Sequence, residues 1–256
     1  MAVAICCVPV SPIRIEPSHK TEMVSQLQFG ESCEILEDDK IPWIKIRCHF
    51  DGYEGWCQDS HLSLVNAGLY ENGRMNLTAD WVTRLEFNGA GMMVPMGSTI
   101  PGKKVKGGIW GDNQIFCEGQ GWDPDKAGKD AGSISQVALK FLNTAYLWGG
   151  KTVFGIDCSG YTQTVCKFFG IRLLRDAHQQ ALQGETIGCL EESQSGDLAF
   201  FDNPEGFIVH VGILLSRQEI IHASGKVRID KIDDSGIIHS ESLKRTHRLK
   251  VLKRFF

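Results

Sequence analysis

The sequence predicts an α+β protein in which two small all-β units precede a unit whose helices come before an antiparallel sheet. Short apolar runs broken by glycines fill residues 3–65 and 77–116, which is typical of small β-barrels. Beyond residue 130 the apolar residues first follow helical spacing and then form strand-like runs. A chain of 256 residues has room for several domains, and we expect them at residues 1–66, 67–126 and 127–256.

The two all-β units differ in how clearly they are marked. The first has apolar runs at residues 33–36 and 43–46, which are separated by Gly30, Gly52 and Gly55. The second has runs at residues 81–85, 92–95 and 108–110, so a second barrel is expected there. Residues 119–132 gather Gly, Pro, Asp and Lys, a composition that suits a linker.

Two helices are predicted at the start of the last unit. The first carries an apolar face from Ile134 to Ala145 and is expected to stop by Gly149. The second begins at Cys158 and ends at Gly170, a residue type common at helix C-termini. Strands are then expected at residues 197–201, 209–215, 219–223 and 248–255.

Composition and charge exclude several classes of function. With 42% hydrophobic and 23% charged residues the chain resembles ordinary globular proteins. A net charge of -4 provides no broad basic field for nucleic acid, and we interpret the basic residues between 244 and 254 as a solvated face. Nucleic acid is therefore not an expected partner.

The N-terminus and the cysteines indicate the compartment. The first ten residues are apolar but lack a positive region and soon meet Pro9 and Pro12, so neither a signal peptide nor a membrane span is expected. Nine cysteines form no regular framework, which favours reduced thiols in a cytoplasm. Without paired metal-ligand spacing, no metal or cofactor is expected.

Cys158 is the candidate nucleophile. It stands at a predicted helix start, where unpaired N–H groups favour a thiolate, and Gly155 and Gly160 leave room for access. The alternative is a buried structural cysteine, which is our interpretation of Cys166, two turns along the same face.

His210 is the candidate general base. It lies in a predicted strand and faces away from Val209 and Val211. His222 follows in the next strand and could pair with it across a hairpin, supplying a third group that fixes its tautomer. A solvent-facing role is the alternative for either residue, and it is the role we expect for His19, His178, His239 and His247.

Five blocks of the last unit, in this order and spacing, resemble NlpC-type cell-wall cysteine peptidases: Tyr146-Leu147-Trp148-Gly149-Gly150, Asp157-Cys158-Ser159-Gly160, Gly196-Asp197-Leu198, His210-Val211-Gly212 and Ile221-His222-Ala223. The resemblance covers residues 134–256 and implies a papain-like catalytic domain. It also implies that Cys158 is the nucleophile, His210 the general base and His222 the third member.

The first half resembles the paired bacterial SH3-like barrels of γ-D-glutamyl-L-diamino acid endopeptidases, through Glu22-Met23-Val24 and Gly52-Tyr53-Glu54-Gly55-Trp56. In that subgroup the first barrel walls the active site. The resemblance implies substrate binding by seven residues: Tyr146, Trp148, Asp157, Ser159, Asp176, Tyr53 and Glu22. Without it, these would be core aromatics, a helix cap, a turn residue or surface groups.

The implied activity is hydrolysis of the bond between γ-D-glutamate and a diamino acid in free murein peptides that begin with L-Ala. A murein peptide is therefore the expected partner, and cell-wall peptide recycling in the cytoplasm the expected role. The rival hypothesis is a peptidoglycan-binding protein whose NlpC-like domain is inactive or transfers acyl groups.

Overall fold

The computed structural model describes residues 2–40, 42–65, 75–101, 108–110, 113–119 and 121–256. The chain divides into two compact units. Unit 1 contains the residues up to Asp125 together with Trp148–Val153, and unit 2 contains Lys126–Leu147 and Phe154–Phe256. The domain ranges expected from the sequence remain predictions.

Unit 1 begins with a seven-stranded antiparallel sheet whose strand order is β3-β2-β6-β5-β4-β1-β7. Its strands are β1 (Val3–Cys6), β2 (Val10–Arg14), β3 (Met23–Gln28), β4 (Ser32–Lys40), β5 (Trp43–Cys48), β6 (Glu54–Gln58) and β7 (Leu62–Val65). A 3₁₀ turn at Asp59–His61 leads into β7. Apolar side chains from these strands, including Ile13, Leu27 and Ile46, form the buried core.

The second group of strands in unit 1 forms two smaller sheets, with orders β10-β9-β13-β12 and β11-β8-β14. These strands are β8 (Met75–Thr78), β9 (Val82–Phe87), β10 (Ala90–Pro95), β11 (Thr99–Pro101), β12 (Gly108–Trp110), β13 (Asn113–Cys117) and β14 (Gly121–Trp122). The core cluster of these strands also contains Ile5, from β1, and Phe29, which follows β3. The short strand β15 (Lys151–Thr152) completes this unit.

Unit 2 places three helices before most of its sheet; the sequence predicts the first two of them, and the short third helix was not expected. They are α1 (Ala131–Leu139), α2 (Cys158–Lys167) and α3 (Ala177–Gln180), with 3₁₀ turns at Pro124–Lys126, where this unit begins, and at Leu190–Glu192. Helix α1 stops well before the predicted end, because the chain turns after Leu139 and reaches a left-handed φ of 68° at Asn143. Helix α2 ends as expected, with Gly170 at a φ of 71°.

Six strands of unit 2 close into a barrel: β18 (Leu198–Asp202), β19 (Ile208–Leu214), β20 (Glu219–Ser224), β21 (Lys226–Asp233), β22 (Gly236–Ile238) and β23 (Arg245–Arg254). Of the two shorter strands, β17 (Glu185–Ile187) pairs with β23, and β16 (Gly155–Ile156) lies outside this sheet. The order runs from β23 through β18 to β22, and β22 pairs with β23 again. Because side chains alternate along a strand, His210 and His222 share faces with the core residues Leu214 and Ile220. Among the described residues, no helix combines the length and apolar character that a membrane crossing requires.

Candidate active site

Cys158 is the first residue of α2, the position that the sequence predicts. Asp157 caps this helix, because its carboxylate accepts a hydrogen bond from the backbone N–H of Gly160 at 2.7 Å. The Cys158 side chain is 7% exposed, and the backbone N–H groups of Ser159 and Val211 donate to its sulfur. Val211 follows His210 in β19, so this contact places the sulfur beside the strand that carries the candidate base.

The electrostatics favour a neutral thiol and a neutral imidazole before reaction. Burial raises the pKa of Cys158 to about 12, with a further contribution from the charge of Asp157. Burial lowers the pKa of His210 well below its usual value. A thiolate would therefore form when His210 takes the proton during attack, and not as a standing ion pair.

His210 and His222 form a hydrogen-bonded chain that ends on Asp230. The Nε2 and Nδ1 atoms of His210 and His222 are 2.8 Å apart, and Nε2 of His222 lies 3.0 Å from Oδ2 of Asp230. Because a carboxylate only accepts, His222 donates from Nε2 and accepts at Nδ1. His210 therefore donates from Nε2, which leaves the lone pair of its Nδ1 as the base.

Asp230 is a member of this site that the sequence reasoning missed. It lies in β21, is 2% exposed, and also accepts from the Ser240 backbone N–H at 2.8 Å and from Nη2 of Arg228 at 3.0 Å. Although burial opposes it, these hydrogen bonds and the one from His222 hold the pKa of Asp230 well below its usual value. The hairpin turn at Gly225 was the available signal, since it starts a strand that runs back beside His222.

His247 also belongs to this cluster. The expectation that His247 is a surface residue was wrong. Its half-buried ring stacks on that of His210, with centroids 4.2 Å apart and planes inclined by 25°. Burial lowers the pKa of His247 to about 4.

Arg175 holds the two residues that flank the nucleophile. Its guanidinium is 1% exposed and bonds both carboxylate oxygens of Asp157, at 3.1 and 2.5 Å. It also donates to Oγ of Ser159 at 2.9 Å. Asp157 thus has structural work as a helix cap and ion-pair partner, and the substrate contacts expected of Asp157 and Ser159 stay predictions.

Two other residues expected to bind substrate lie in unit 2. The Tyr146 side chain is half-buried, and burial followed by the charges of Cys158 and Asp157 raises its pKa. The charge of the nucleophile, when it forms, therefore reaches this phenol. Asp176 precedes α3 and forms a capping box with Gln179, whose Oε1 accepts from the Asp176 backbone N–H at 3.1 Å.

The remaining three lie in unit 1. Glu22 and Trp148 are brought together, because the indole N–H of Trp148 donates to Oε1 of Glu22 at 2.5 Å. Tyr53 is half-buried and packs against the core of the first sheet. The substrate contacts expected of these residues stay predictions.

Comparison with known proteins places both parts of the chain in families. Residues 143–244 match the NlpC/P60 family, and residues 13–62 match the bacterial dipeptidyl-peptidase SH3 domain. Dipeptidyl-peptidase 6 of Lysinibacillus sphaericus is 24% identical over 95% of this chain and 96% of its own length. A γ-D-glutamyl-L-lysine dipeptidyl-peptidase of Bacillus cereus is 27% identical over 86% of this chain and 74% of its own.

A solved structure shows the same fold over almost the whole chain. The crystal structure of an NlpC/P60 family protein from Bacillus cereus gives a TM-score of 0.80 at 20% identity, covering 98% of this chain and 99% of that one. The predicted α+β class, a papain-like domain after SH3-like domains, is confirmed. This chain contains a domain of the NlpC/P60 peptidase family, preceded by an SH3 domain of the bacterial dipeptidyl-peptidase type.

Proposed function

We propose that this protein is a cysteine endopeptidase that hydrolyses the γ-D-glutamyl bond to a diamino acid in free murein peptides beginning with L-Ala. The observation that carries the proposal is the hydrogen-bonded chain from His210 through His222 to Asp230, together with the contact of Cys158, at a helix start, with the backbone N–H of Val211, the residue after His210. A buried thiol, a base with a fixed tautomer and a carboxylate that fixes it are the parts needed for acyl transfer.

The proposed reaction follows from these atoms. Nδ1 of His210 takes the Cys158 proton as Sγ attacks the γ-carbonyl carbon of D-glutamate, giving a tetrahedral oxyanion and an imidazolium. The N–H of Cys158 has no acceptor inside its own helix and is a donor for that oxyanion. The imidazolium then protonates the leaving amine of the diamino acid. Water, deprotonated by His210, hydrolyses the remaining thioester and restores the thiol.

The choice of substrate is supported by the relatives. A relative that matches 86% of this chain is named a γ-D-glutamyl-L-lysine dipeptidyl-peptidase. Another, named dipeptidyl-peptidase 6, matches nearly the full length of both chains. Release of a dipeptide requires that the chain before the scissile bond be only two residues long, which agrees with an L-Ala-γ-D-Glu acyl group.

The test compares two isomeric peptides, L-Ala-γ-D-Glu-L-Lys and L-Ala-α-D-Glu-L-Lys. Chromatography with mass detection should show L-Ala-γ-D-Glu and free lysine from the first, and no cleavage of the second. The same assay with diaminopimelate in place of lysine reports which diamino acid is preferred. The proposal would be wrong if both isomers were cleaved at equal rates or if neither were cleaved.

The rival hypothesis, a peptidoglycan-binding protein whose NlpC-like domain is inactive or transfers acyl groups, is tested in the same reaction. Adding a primary amine such as glycine methyl ester offers the thioester a second acceptor beside water. A hydrolase yields L-Ala-D-Glu as the main product, whereas a transferase yields the amide of the added amine.

We also propose that the protein acts in the cytoplasm. All nine cysteines lie in the described part of the chain, and all are free thiols. Fractionation of the producing cell, with detection by antibody, should find the protein with cytoplasmic markers.

A further inference from the structure

His247 covers the face of the ring that serves as the base. Its strand, β23, pairs with β18, so Phe201 lies beside both histidines, 5.8 Å from His210 and 5.9 Å from His247 between ring centroids. The proposed mechanism uses the edge of His210, through Nδ1 and Nε2, and leaves its face without a function. The stack with His247 occupies that face.

One hydrogen bond is not enough to fix an imidazole. The bond from Nε2 of His210 to His222 acts as a pivot about which the ring can tilt, and a tilt moves Nδ1 away from the sulfur. A second ring lying nearly parallel at 4.2 Å blocks that tilt. We propose that His247 is a positioning residue that holds His210 in line with Cys158. The proposal rests on the proposed function only through the pairing of Cys158 with His210.

The charges around His247 suit this role. His210 of β19 and His222 of β20 lie against it, and the charge of Asp230 also reaches it. On its own strand Arg245 pairs with Asp233, and Arg248 pairs with Asp202. Because burial lowers its pKa to about 4, His247 is neutral at neutral pH and presents an uncharged aromatic face to the imidazolium that forms on His210.

The test measures the rate at which iodoacetamide alkylates Cys158 as a function of pH, with the Cys158 peptide followed by mass spectrometry. Alkylation needs a proton acceptor but no peptide substrate, so the result can be read even if the proposed hydrolysis fails. His247→Ala removes the ring, and His247→Phe keeps an aromatic face without a titratable group. His178→Ala, at an exposed histidine, is the matched control.

His247→Ala should alkylate about tenfold more slowly at neutral pH, since a misplaced base loses part of its usual contribution. Water would also reach His210 and raise its pKa, which moves the acid limb of the profile to higher pH. The alkylation rate of His247→Phe should stay within about threefold of wild type, and the acid limb of its profile should hardly move. Phenylalanine keeps an aromatic ring against His210 and keeps His210 buried. Thermal unfolding shows whether each variant is folded. If His247→Ala is not folded, His247→Gln takes its place in the comparison. The proposal would be overturned if His247→Ala kept the wild-type alkylation rate and the wild-type acid limb. It would also be overturned if His247→Ala and His247→Phe lost the same fraction of the rate.

Discussion

At the residue scale, Asp230, two hydrogen bonds away from His210, decides which nitrogen of His210 carries the proton. Replacing Asp230 with Asn puts an amide N–H₂ within reach of Nε2 of His222. That histidine can then protonate Nδ1 instead, and the proton of His210 moves to the side of Cys158. His210 then has no lone pair facing Cys158 and cannot act as the base, although the side chains keep their positions.

We expect Asp230→Asn to lower kcat on L-Ala-γ-D-Glu-L-Lys by about a hundredfold or more with little change in KM. His222→Gln should lose less than His222→Ala, because the amide oxygen still accepts from Nε2 of His210. Asp233→Asn, on the same strand and paired with Arg245 at the surface, is the control. Unchanged kcat in Asp230→Asn would show that the carboxylate does not fix the tautomer.

Arg175 carries a prediction about stability. Its charge is buried against Asp157, and removing one partner of such a pair leaves the other charge uncompensated. Arg175→Met should lower the free energy of unfolding by about 3–5 kcal/mol in urea titrations. Arg245→Met breaks an exposed ion pair and should change it little. Similar, small losses in both variants would contradict the structural role of the Arg175 pair.

At the scale of elements, Gly212 fits where β19 and β20 come close together. Gly212 lies opposite His222, and a Cβ there would come within 2.8 Å of both the Cβ of His222 and Cδ1 of Ile220. Gly212→Ala should therefore displace His222 and lower kcat about tenfold or more, with a stability loss of about 1–3 kcal/mol. Gly91→Ala, in a strand with open space at that point, is the matched control and should change neither. Wild-type kcat in Gly212→Ala would contradict the close approach.

The elements also show what local sequence can and cannot predict. The start of α2 and its glycine stop could be predicted, because capping and left-handed positions need particular residue types. Asp230 and His247 were missed, since β21 was not expected and β23 begins at Arg245, before the predicted start at residue 248. Polar residues at 245–248 lack strand periodicity, and only pairing with β22 and β18 makes them a strand.

At the scale of the whole molecule, the seven residues expected to bind substrate are divided between the two units. Tyr146, Asp157, Ser159 and Asp176 belong to unit 2, and Trp148, Tyr53 and Glu22 belong to unit 1. Their role in substrate binding is a prediction from the family resemblance. The interaction of Asp157 with Arg175 could not be predicted, because it joins residues brought together only by the fold.

Asp157 and Asp176, both in unit 2, carry a prediction about specificity. Carboxylates around the substrate's first residue would pair with the ammonium of L-Ala, which an N-acetyl group cannot replace. We expect N-acetyl-L-Ala-γ-D-Glu-L-Lys to have a kcat/KM lower by about a hundredfold or more than the free peptide. If Asp176 pairs with this ammonium, Asp176→Asn should show a smaller ratio of kcat/KM between the free and the N-acetyl peptide. Similar kcat/KM for both peptides in the wild-type protein would refute the requirement for a free amine.

The central claim is that Cys158 is the nucleophile of a γ-D-glutamyl peptidase, and two cysteines on one helix test it most directly. Cys158 begins α2, and Cys166 is buried in its last turn with a pKa that burial raises to about 12. The experiment measures how fast Cys158→Ala and Cys166→Ala cleave L-Ala-γ-D-Glu-L-Lys, with released lysine as the readout. The account predicts no detectable turnover for Cys158→Ala and a rate within about threefold of wild type for Cys166→Ala. Cleavage that survives in Cys158→Ala, or equal losses in both folded variants, would contradict it.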